Sequence, residues 1–157
     1  MTSVAIALGS NLGDRAAHLA FGAAALSNLL TNLRHSQWHD TAPVGVSPDQ
    51  PRYLNGVVVG DTDLSAGELM LRLLAIERAA GRTRPSLMAP RTLDLDLILY
   101  GDERIEEPGV TVPHPRFRER LFVLEPLAEL APGWIDPATG EPVSALLRQA
   151  RQASPDA

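Results

Sequence analysis

Two aspartates interrupt the apolar run from Leu93 to Leu99, and they are two residues apart. Successive strand side chains point to opposite faces, so Asp94 and Asp96 are expected to lie side by side. Like charges on one face repel each other, and partial burial adds a desolvation cost. Mg²⁺ would relieve both effects, because proteins commonly hold it through one or two carboxylates, water and substrate phosphates. The stretch predicts a metal and phosphate site, although the same pattern also occurs by chance on solvated strands.

The basic side chains around this strand are all arginines. The chain carries 14 basic residues, and none of them is lysine. A P-loop lysine, a Schiff-base lysine and a kinase strand lysine are therefore excluded, and any phosphate would be held by guanidinium groups. A general compositional preference for arginine explains the missing lysines equally well. Two clusters flank the aspartates and predict a local anion pocket: Arg82, Arg84 and Arg91 before them, and Arg116, Arg118 and Arg120 after them.

The composition is that of an ordinary globular protein. At 157 residues, with 45% hydrophobic and 21% charged residues, the chain is expected to form one domain over 1–157, with a loose tail from about 151. The absence of cysteine excludes disulfides and thiolate sites. A net charge of -5 argues against nucleic acid as a partner. No stretch looks like a signal peptide or a membrane span, so we expect a cytoplasmic location and no membrane partner.

Hydrophobic periodicity and turn residues predict the element order β-α-β-β-α-β. This order is the ferredoxin-like arrangement of an α+β fold, and additional C-terminal helices are expected to pack outside it. The predicted elements are strands at 4–8, 33–41, 53–61 and the aspartate stretch, helices that begin near Asp14 and Ser65 and end near Leu30 and Gly81, loops at 42–51 and 82–91, and outer helices at 120–130 and 143–151.

The second helix has a defined sequence start. Ser65 and Glu68 fit a capping box, in which the hydroxyl and the carboxylate each satisfy a backbone amide of the first turn. Gly81 is well placed to end this helix.

Six motifs follow one another along nearly the whole chain: they lie at 7–14, 53–55, 81–84, 90–96, 112–116 and 122–127. Their joint occurrence is far more specific than any one of them. In this order they resemble those of 6-hydroxymethyl-7,8-dihydropterin pyrophosphokinases of folate biosynthesis. The resemblance implies transfer of the pyrophosphate of ATP to the hydroxymethyl group of the pterin, with release of AMP.

The resemblance also implies roles at the phosphate side of the site. Asp94 and Asp96 match the aspartates that hold two Mg²⁺ ions, and Asp96 is expected to approach the hydroxymethyl oxygen as well. Arg82 and Arg91 match phosphate contacts and complete the implied catalytic set with the aspartates. The remaining implied ATP contacts are Arg84 in a closing loop, Glu77 near the ribose, and Thr111, His114 and Arg120 near the nucleotide.

The implied pterin site combines ring faces with an amide edge. Tyr53 and Phe122 match positions that flank the ring, and Asn55 matches the amide that reads its edge, since an amide both donates and accepts. Backbone groups at Thr41, Ala42 and Pro43 are expected at the same edge. Taken singly, both aromatic residues would more simply be core residues, and Asn55 could pair with neighbouring backbone.

Three departures from the family pattern occur, at four residues. Met88 stands where an aromatic residue often seals the pterin, Phe117 and Arg118 replace a common Met-His pair and would alter nucleotide contacts, and Gly109 replaces an arginine of some relatives. None of them removes a metal ligand. We expect the protein to act as a monomer on ATP and the pterin. Two other hypotheses stay open: a non-catalytic ligand sensor with this fold, and a nucleotidyltransferase, which would release pyrophosphate.

Overall fold

The structure is a computed structural model that describes residues 1–42, 51–81 and 92–153. The predicted outer helices are present beyond the ferredoxin-like core. The elements are β1 (Thr2–Ser10), α1 (Arg15–Leu26), β2 (Thr31–His35), β3 (His39–Thr41), β4 (Tyr53–Thr62), α2 (Ala66–Ala79), β5 (Asp94–Tyr100), β6 (Ile105–Glu107), β7 (Val110–Val112), a short 3-10 turn (Phe117–Glu119), α3 (Leu121–Leu130) and α4 (Val143–Ala153).

A five-stranded antiparallel sheet forms the centre of the described chain. Its strand order is β2-β4-β1-β5, and β3 also pairs with β4. The two strand-helix-strand units interleave as in a ferredoxin-like α+β fold, which confirms the predicted fold class. Because β1 lies between β4 and β5, its C-terminal end touches the first residues of both neighbours. That junction brings together most of the described candidate site residues.

The alternation of β1 divides the interior into two cores. Ile6 and Leu8 pack with leucines of α1 and α2 on one face, whereas Ala5 and Ala7 join the apolar residues of α3 and α4 on the other. Each fully buried leucine contributes about 1.5–3 kcal/mol by leaving water. With helices on both faces, the sheet is covered except where a site can open at its end.

Both helices of the ferredoxin-like unit start at side-chain caps. Asp14 Oδ1 accepts a hydrogen bond from the Ala17 amide at 3.1 Å, and Ser65 Oγ accepts one from the Glu68 amide at 3.1 Å. The predicted capping box has the Glu68 carboxylate accept from a backbone amide. In the structure this carboxylate accepts instead from the Ser65 hydroxyl, at 3.0 Å. Helix α1 ends at Leu26, four residues before the predicted end.

The predicted single strand at 33–41 is wrong, because a short break separates β2 from β3. At the break the Ser36 amide donates to the Val57 carbonyl at 2.9 Å, and the Ser36 hydroxyl accepts from the Val57 amide at 3.0 Å. Trp38 lies over Gly56 so closely that a Cβ there would come within 2.2 Å of its ring. The indole therefore requires glycine at position 56 of β4.

Two other features were not predicted from the sequence. Strands β6 and β7 form a hairpin, and Gly109 in its turn has a φ of 83°, a conformation that favours glycine. The departure at Gly109 therefore has a backbone explanation. Helix α4 continues to Ala153, beyond the residue at which a loose tail was expected to begin. Across the described ranges, no helix is long and apolar enough to cross a membrane.

Candidate functional site

The candidate site forms where three strands meet at the end of β1. Gly9 pairs with Asn55 of β4 on one side and with Asp94 of β5 on the other. Directly paired residues of antiparallel strands share a face of the sheet, and so do residues two positions apart. Asp96, which pairs with Ala7, therefore lies on the same face as Asn55 and Asp94. The register brings the candidate pterin amide to the candidate metal carboxylates, with only a glycine between them.

The aspartate strand has the two-faced character that the sequence predicted. Leu95 and Leu97 are 4% and 3% exposed, whereas Asp94 is half-buried and Asp96 is exposed. The two carboxylates are neighbours on the face that α3 and α4 leave open at this end. Two adjacent, partly solvated carboxylates suit a hard divalent cation whose other ligands come from water and phosphate. Within the described ranges, no cluster of three or more acidic, histidine or cysteine side chains completes an all-protein metal cage.

His114 lies beside this strand. Its amide donates to the Ile98 carbonyl at 2.9 Å, and its Nδ1 accepts from the Arg116 amide at 3.1 Å. Burial lowers the pKa of His114, and Arg120 and Arg116 lower it further, against an opposing influence of the Asp96 carboxylate. The ring is therefore neutral at pH 7. Because Nδ1 is an acceptor, the proton resides on Nε2, which is a donor for an anionic ligand.

Arg120 and Phe122 bring two predicted subsites together at the start of α3. The Arg120 guanidinium lies over the Phe122 ring, 5.6 Å from its centroid. This cation-π contact orients a charge predicted to face ATP and a ring predicted to flank the pterin. Thr111 lies on β7 and is exposed, on the hairpin that precedes His114.

The predicted pterin residues of β3 and β4 are tied to one another. The Asn55 side-chain amide donates to Thr41 Oγ1 at 2.5 Å, and Thr41 pairs with Tyr53 in the β3–β4 ladder. Asn55 is 6% exposed, and its Oδ1 lies 3.0 Å from where a Cβ on Gly9 would be. The contact with Thr41 holds the Asn55 amide in place. Tyr53 is half-buried and Ala42 is exposed at the end of the ladder.

A network of two arginines and one aspartate ties together three segments beside these residues. Arg15 donates to the Arg52 carbonyl at 2.9 Å and to Asp40 Oδ2 at 3.1 Å, and Arg52 Nε donates to Asp40 Oδ1 at 2.6 Å. Hydrogen bonds from Arg52 and then from Arg15 hold the pKa of Asp40 below its usual range. Asp40 precedes Thr41 and Arg52 precedes Tyr53, so this Arg15 clasp fixes both strand ends to the start of α1. No sequence motif pointed to it.

Glu77 has a contact that the sequence analysis did not predict. It lies on the inner side of α2, is 4% exposed, and its Oε2 accepts a hydrogen bond from the Leu95 amide at 2.7 Å. Leu95 separates the two aspartates. The predicted ribose contact stays a prediction, but in this structure the carboxylate faces the strand.

Phe117 and Arg118 pack the segment that leads into α3. Phe117 is fully buried in the core beside α3 and α4. Arg118 pairs with Asp136, a carboxylate with no exposed surface, through Nε to Oδ2 and through Nη2 to Oδ1 at 2.9 Å. Both side chains are used in packing the segment between β7 and α3. The effect expected of this departure on nucleotide contacts stays a prediction.

Four predicted site residues lie outside the described residues: Pro43, Arg82, Arg84 and Arg91. The departure at Met88 lies there too. Their predicted roles stay predictions. Most of the described candidates lie together at one end of the sheet. Glu77, which lies on α2 and bonds to the backbone of β5, and Thr111, which lies on the β6–β7 hairpin, are outside this group.

Comparison with known proteins gives a consistent result. A family model described as 7,8-dihydro-6-hydroxymethylpterin-pyrophosphokinase (HPPK) matches residues 5–132. A 2-amino-4-hydroxy-6-hydroxymethyldihydropteridine pyrophosphokinase of Synechocystis sp. is 44% identical over 92% of this chain and 74% of its own length. A protein of the same name from Bacillus subtilis is 46% identical over 80% of this chain and 75% of its own length.

Longer proteins match as well. The folate synthesis bifunctional protein of Pisum sativum is 41% identical over 87% of this chain, which spans 26% of that protein. A crystal structure of Plasmodium falciparum HPPK-DHPS has a TM-score of 0.76 at 12% identity and covers 99% of this chain and 44% of its own. At that identity the structural match supports the fold alone. By sequence, the chain belongs to the 7,8-dihydro-6-hydroxymethylpterin-pyrophosphokinase (HPPK) family.

Proposed function

We propose that this protein transfers the β,γ-pyrophosphate of ATP to the hydroxymethyl oxygen of 6-hydroxymethyl-7,8-dihydropterin, giving AMP and the pterin pyrophosphate in folate biosynthesis. Family membership makes it a pyrophosphokinase. One observation supports the assignment of this activity to particular residues: Gly9 pairs with Asn55 on one side and with Asp94 on the other. An amide suited to the edge of a heterocycle thus lies next to a carboxylate pair suited to phosphate-bound metal.

The pterin side of the mechanism depends on orientation. Asn55 would hydrogen-bond the ring edge with an amide that Thr41 already holds in place. Tyr53 and Phe122 would flank the ring, so that its hydroxymethyl group points along the sheet toward Asp96. Fixing two reactants in line removes most of the entropic cost of their encounter, worth up to roughly 7–11 kcal/mol in well-oriented systems.

The phosphate side depends on charge. Asp94 and Asp96 would hold Mg²⁺, which when bound neutralises phosphate charge and aligns the attacking and leaving oxygens. His114, neutral with its proton on Nε2, would donate a hydrogen bond to a phosphate oxygen, and Arg120 would add positive charge. Arg82, Arg84 and Arg91 would supply the other phosphate contacts. Asp96 is the more exposed of the two aspartates, and we place its side chain against the hydroxymethyl group.

The same proposal has four further parts. The protein requires two Mg²⁺ ions, acts as a monomer, is located in the cytoplasm, and has no nucleic-acid or membrane partner. The donor set supports the metal: both carboxylates are partly solvated, and each is preceded or followed by a buried leucine that fixes its direction. The net charge of -5 supports a small-molecule substrate over nucleic acid.

The identity of the nucleotide product tests the proposal. The protein is mixed with ATP, Mg²⁺ and the dihydropterin, and the nucleotides are separated by chromatography. AMP that forms only when the pterin is present is the expected result. Free pyrophosphate would indicate nucleotidyl transfer instead, and binding of both ligands without AMP would indicate a sensor. Either of these outcomes would overturn the proposal.

Gly9→Ala is expected to raise the KM for the pterin about tenfold, which corresponds to about 1.4 kcal/mol. The new methyl group would meet Asn55 Oδ1 at 3.0 Å, so the Asn55 amide must shift, whereas its distance of 3.6 Å to the Tyr53 ring is an ordinary van der Waals contact. The KM for ATP should stay within twofold. Gly67→Ala is the control, because nothing lies within 4 Å of its added methyl group. Steady-state kinetics that show equal changes for both substrates would contradict this arrangement.

Arg15→Gln is expected to raise the KM for the pterin about threefold and to leave that for ATP unchanged. Its two hydrogen bonds hold the ends of β3 and β4, but the clasp is solvent-exposed, so its contribution is modest and decreases with salt. Kinetics at low and high ionic strength check this. Arg72→Gln, an exposed arginine of α2, is the matched control. A threefold effect that does not change with salt would rule out the electrostatic explanation.

A further inference from the structure

The Glu77 carboxylate is buried at a position where the proposed mechanism assigns it no task. Glu77 belongs to the last turns of α2, and its side chain lies behind β5 rather than on the face that carries the aspartates. A carboxylate with 4% exposure has lost most of its hydration, so it needs strong hydrogen bonds in return. One of these comes from the Leu95 amide at 2.7 Å. This donor belongs to the residue between Asp94 and Asp96.

The position of β5 in the sheet gives this hydrogen bond its importance. Among the described strands, β5 has β1 as its only neighbour, so its other edge presents backbone groups without a strand partner. The Leu95 amide is one of them, and its residue is 4% exposed. Leaving such an amide unpaired would be costly. Glu77 provides the acceptor that a further strand would otherwise supply.

Helix α2 can transmit this constraint because it is itself held in place. Leu69 and Leu73 lie in the core with 0% and 1% exposure, and Ser65 caps the helix start. The contact therefore joins a fixed helix to the peptide unit between Asp94 and Leu95. A rotation of that peptide would change the direction of the Asp94 carboxylate relative to that of Asp96 and separate the two ligands.

We propose that Glu77 is a positioning residue for the Asp94 and Asp96 pair: it fixes the Leu95 peptide so that both carboxylates address the same phosphate-bound metal. The inference deepens the proposed function and rests on it. It differs from the ribose contact implied by the family resemblance, because it requires no nucleoside. A ligand that keeps the phosphates and lacks the nucleoside separates the two roles.

The experiment measures binding of Mn²⁺ with inorganic tripolyphosphate, and of Mn²⁺ with ATP, to the wild type and to Glu77 variants. Glu77→Leu removes the acceptor, Glu77→Asp is one methylene too short to reach the amide, and Glu77→Gln keeps an acceptor oxygen. Glu68→Gln is the matched control, since it makes the same change at an exposed position of the same helix. Hydrogen exchange of the Leu95 amide in the metal-free protein gives a second readout.

We expect Glu77→Leu and Glu77→Asp to weaken both ligands at least tenfold and by the same factor, with exchange of the Leu95 amide accelerated at least tenfold. Glu77→Gln and Glu68→Gln should stay within threefold of the wild type. If Glu77→Leu fails to fold, the conservative Glu77→Asp variant carries the test. Weakened ATP binding with unchanged tripolyphosphate binding would assign Glu77 to the ribose and overturn the proposal.

Unchanged binding of both ligands by a folded Glu77→Asp variant would also overturn it. These readouts involve no turnover, so they are distinct from a failure of the proposed function. A wild type that forms no AMP from ATP and the pterin contradicts the function. A wild type that forms AMP, with variants that bind tripolyphosphate normally, contradicts only the role of Glu77.

Discussion

Asp96→Ala is expected to lower kcat/KM for pyrophosphoryl transfer by about a thousandfold or more, the scale of losing a preorganised electrostatic contact to the reacting groups. Asp96 shares its face of β5 with Asp94 and lies on the open side of the sheet, next to the position proposed for the hydroxymethyl group. Its removal leaves one carboxylate to hold the metal and none beside the attacking oxygen. Steady-state turnover measured as AMP release checks this expectation.

The same variant should fold normally. Asp96 is exposed, and its removal relieves repulsion with Asp94 in the metal-free protein. The midpoint of thermal unfolding is therefore expected to equal or exceed that of the wild type. Asp102→Ala, which changes an exposed aspartate in the turn after β5, is the control and should keep full turnover. A well-folded Asp96→Ala protein with wild-type turnover would exclude the assignment of the carboxylate pair.

Arg118→Met is expected to lower the free energy of unfolding by about 3 kcal/mol, at the lower end of the range for breaking a buried ion pair. Asp136 has no exposed side-chain surface and accepts from Arg118, from the Ala138 amide at 3.0 Å and from Thr139 at 2.9 Å. Without the guanidinium a buried charge keeps only two neutral donors. Chemical denaturation at pH 7 measures the loss. Arg104→Met, an exposed arginine, should change stability by less than about 0.5 kcal/mol.

The loss should also depend on pH in a defined direction. Burial raises the pKa of Asp136, but the hydrogen bond from Arg118, followed by those from Ala138 and Thr139, outweighs burial and holds the pKa below its usual range. A carboxyl with a depressed folded pKa contributes stability above its unfolded pKa of about 3.9, and that contribution disappears as pH falls through the folded value. The difference between wild type and Arg118→Met should therefore be complete at pH 7 and shrink below about pH 4. A difference that grows in acid would contradict this pairing.

Sequence periodicity was sufficient to predict the β-α-β-β-α-β order of the core and the face of β5 on which the aspartates lie. Both depend on local signals: an apolar run with a period of two for β5, and a serine cap for α2. The break between β2 and β3 was missed because its cause is not local. At the break Ser36 bonds to Val57 and Trp38 packs on Gly56, both on β4, and nothing in the 33–41 segment itself indicates these contacts.

The candidate site shows the same division. Asn55, Asp94 and His114 could be named from motifs. The register places Asn55 and Asp94 at the end of β1, and His114 is bonded to Ile98 of β5. The sequence did not indicate which residues hold these site residues in place. Glu77 was recognised as a carboxylate near the site, but its partner is a backbone amide, which every residue type except proline presents alike. Ion pairs such as Arg118 with Asp136 join positions that only the fold brings together.

The most direct test of the central claim is whether both phosphoryl groups move together from one ATP molecule. ATP labelled equally at its β and γ phosphates is incubated with Mg²⁺, the dihydropterin and either the wild type or Asp96→Ala, and the pterin product is isolated. We expect the wild type to give a product that carries the two labels in a one-to-one ratio, matched by an equal amount of AMP, and Asp96→Ala to give almost none. A pterin that carries only the γ label, or equal product from Asp96→Ala, would contradict the claim.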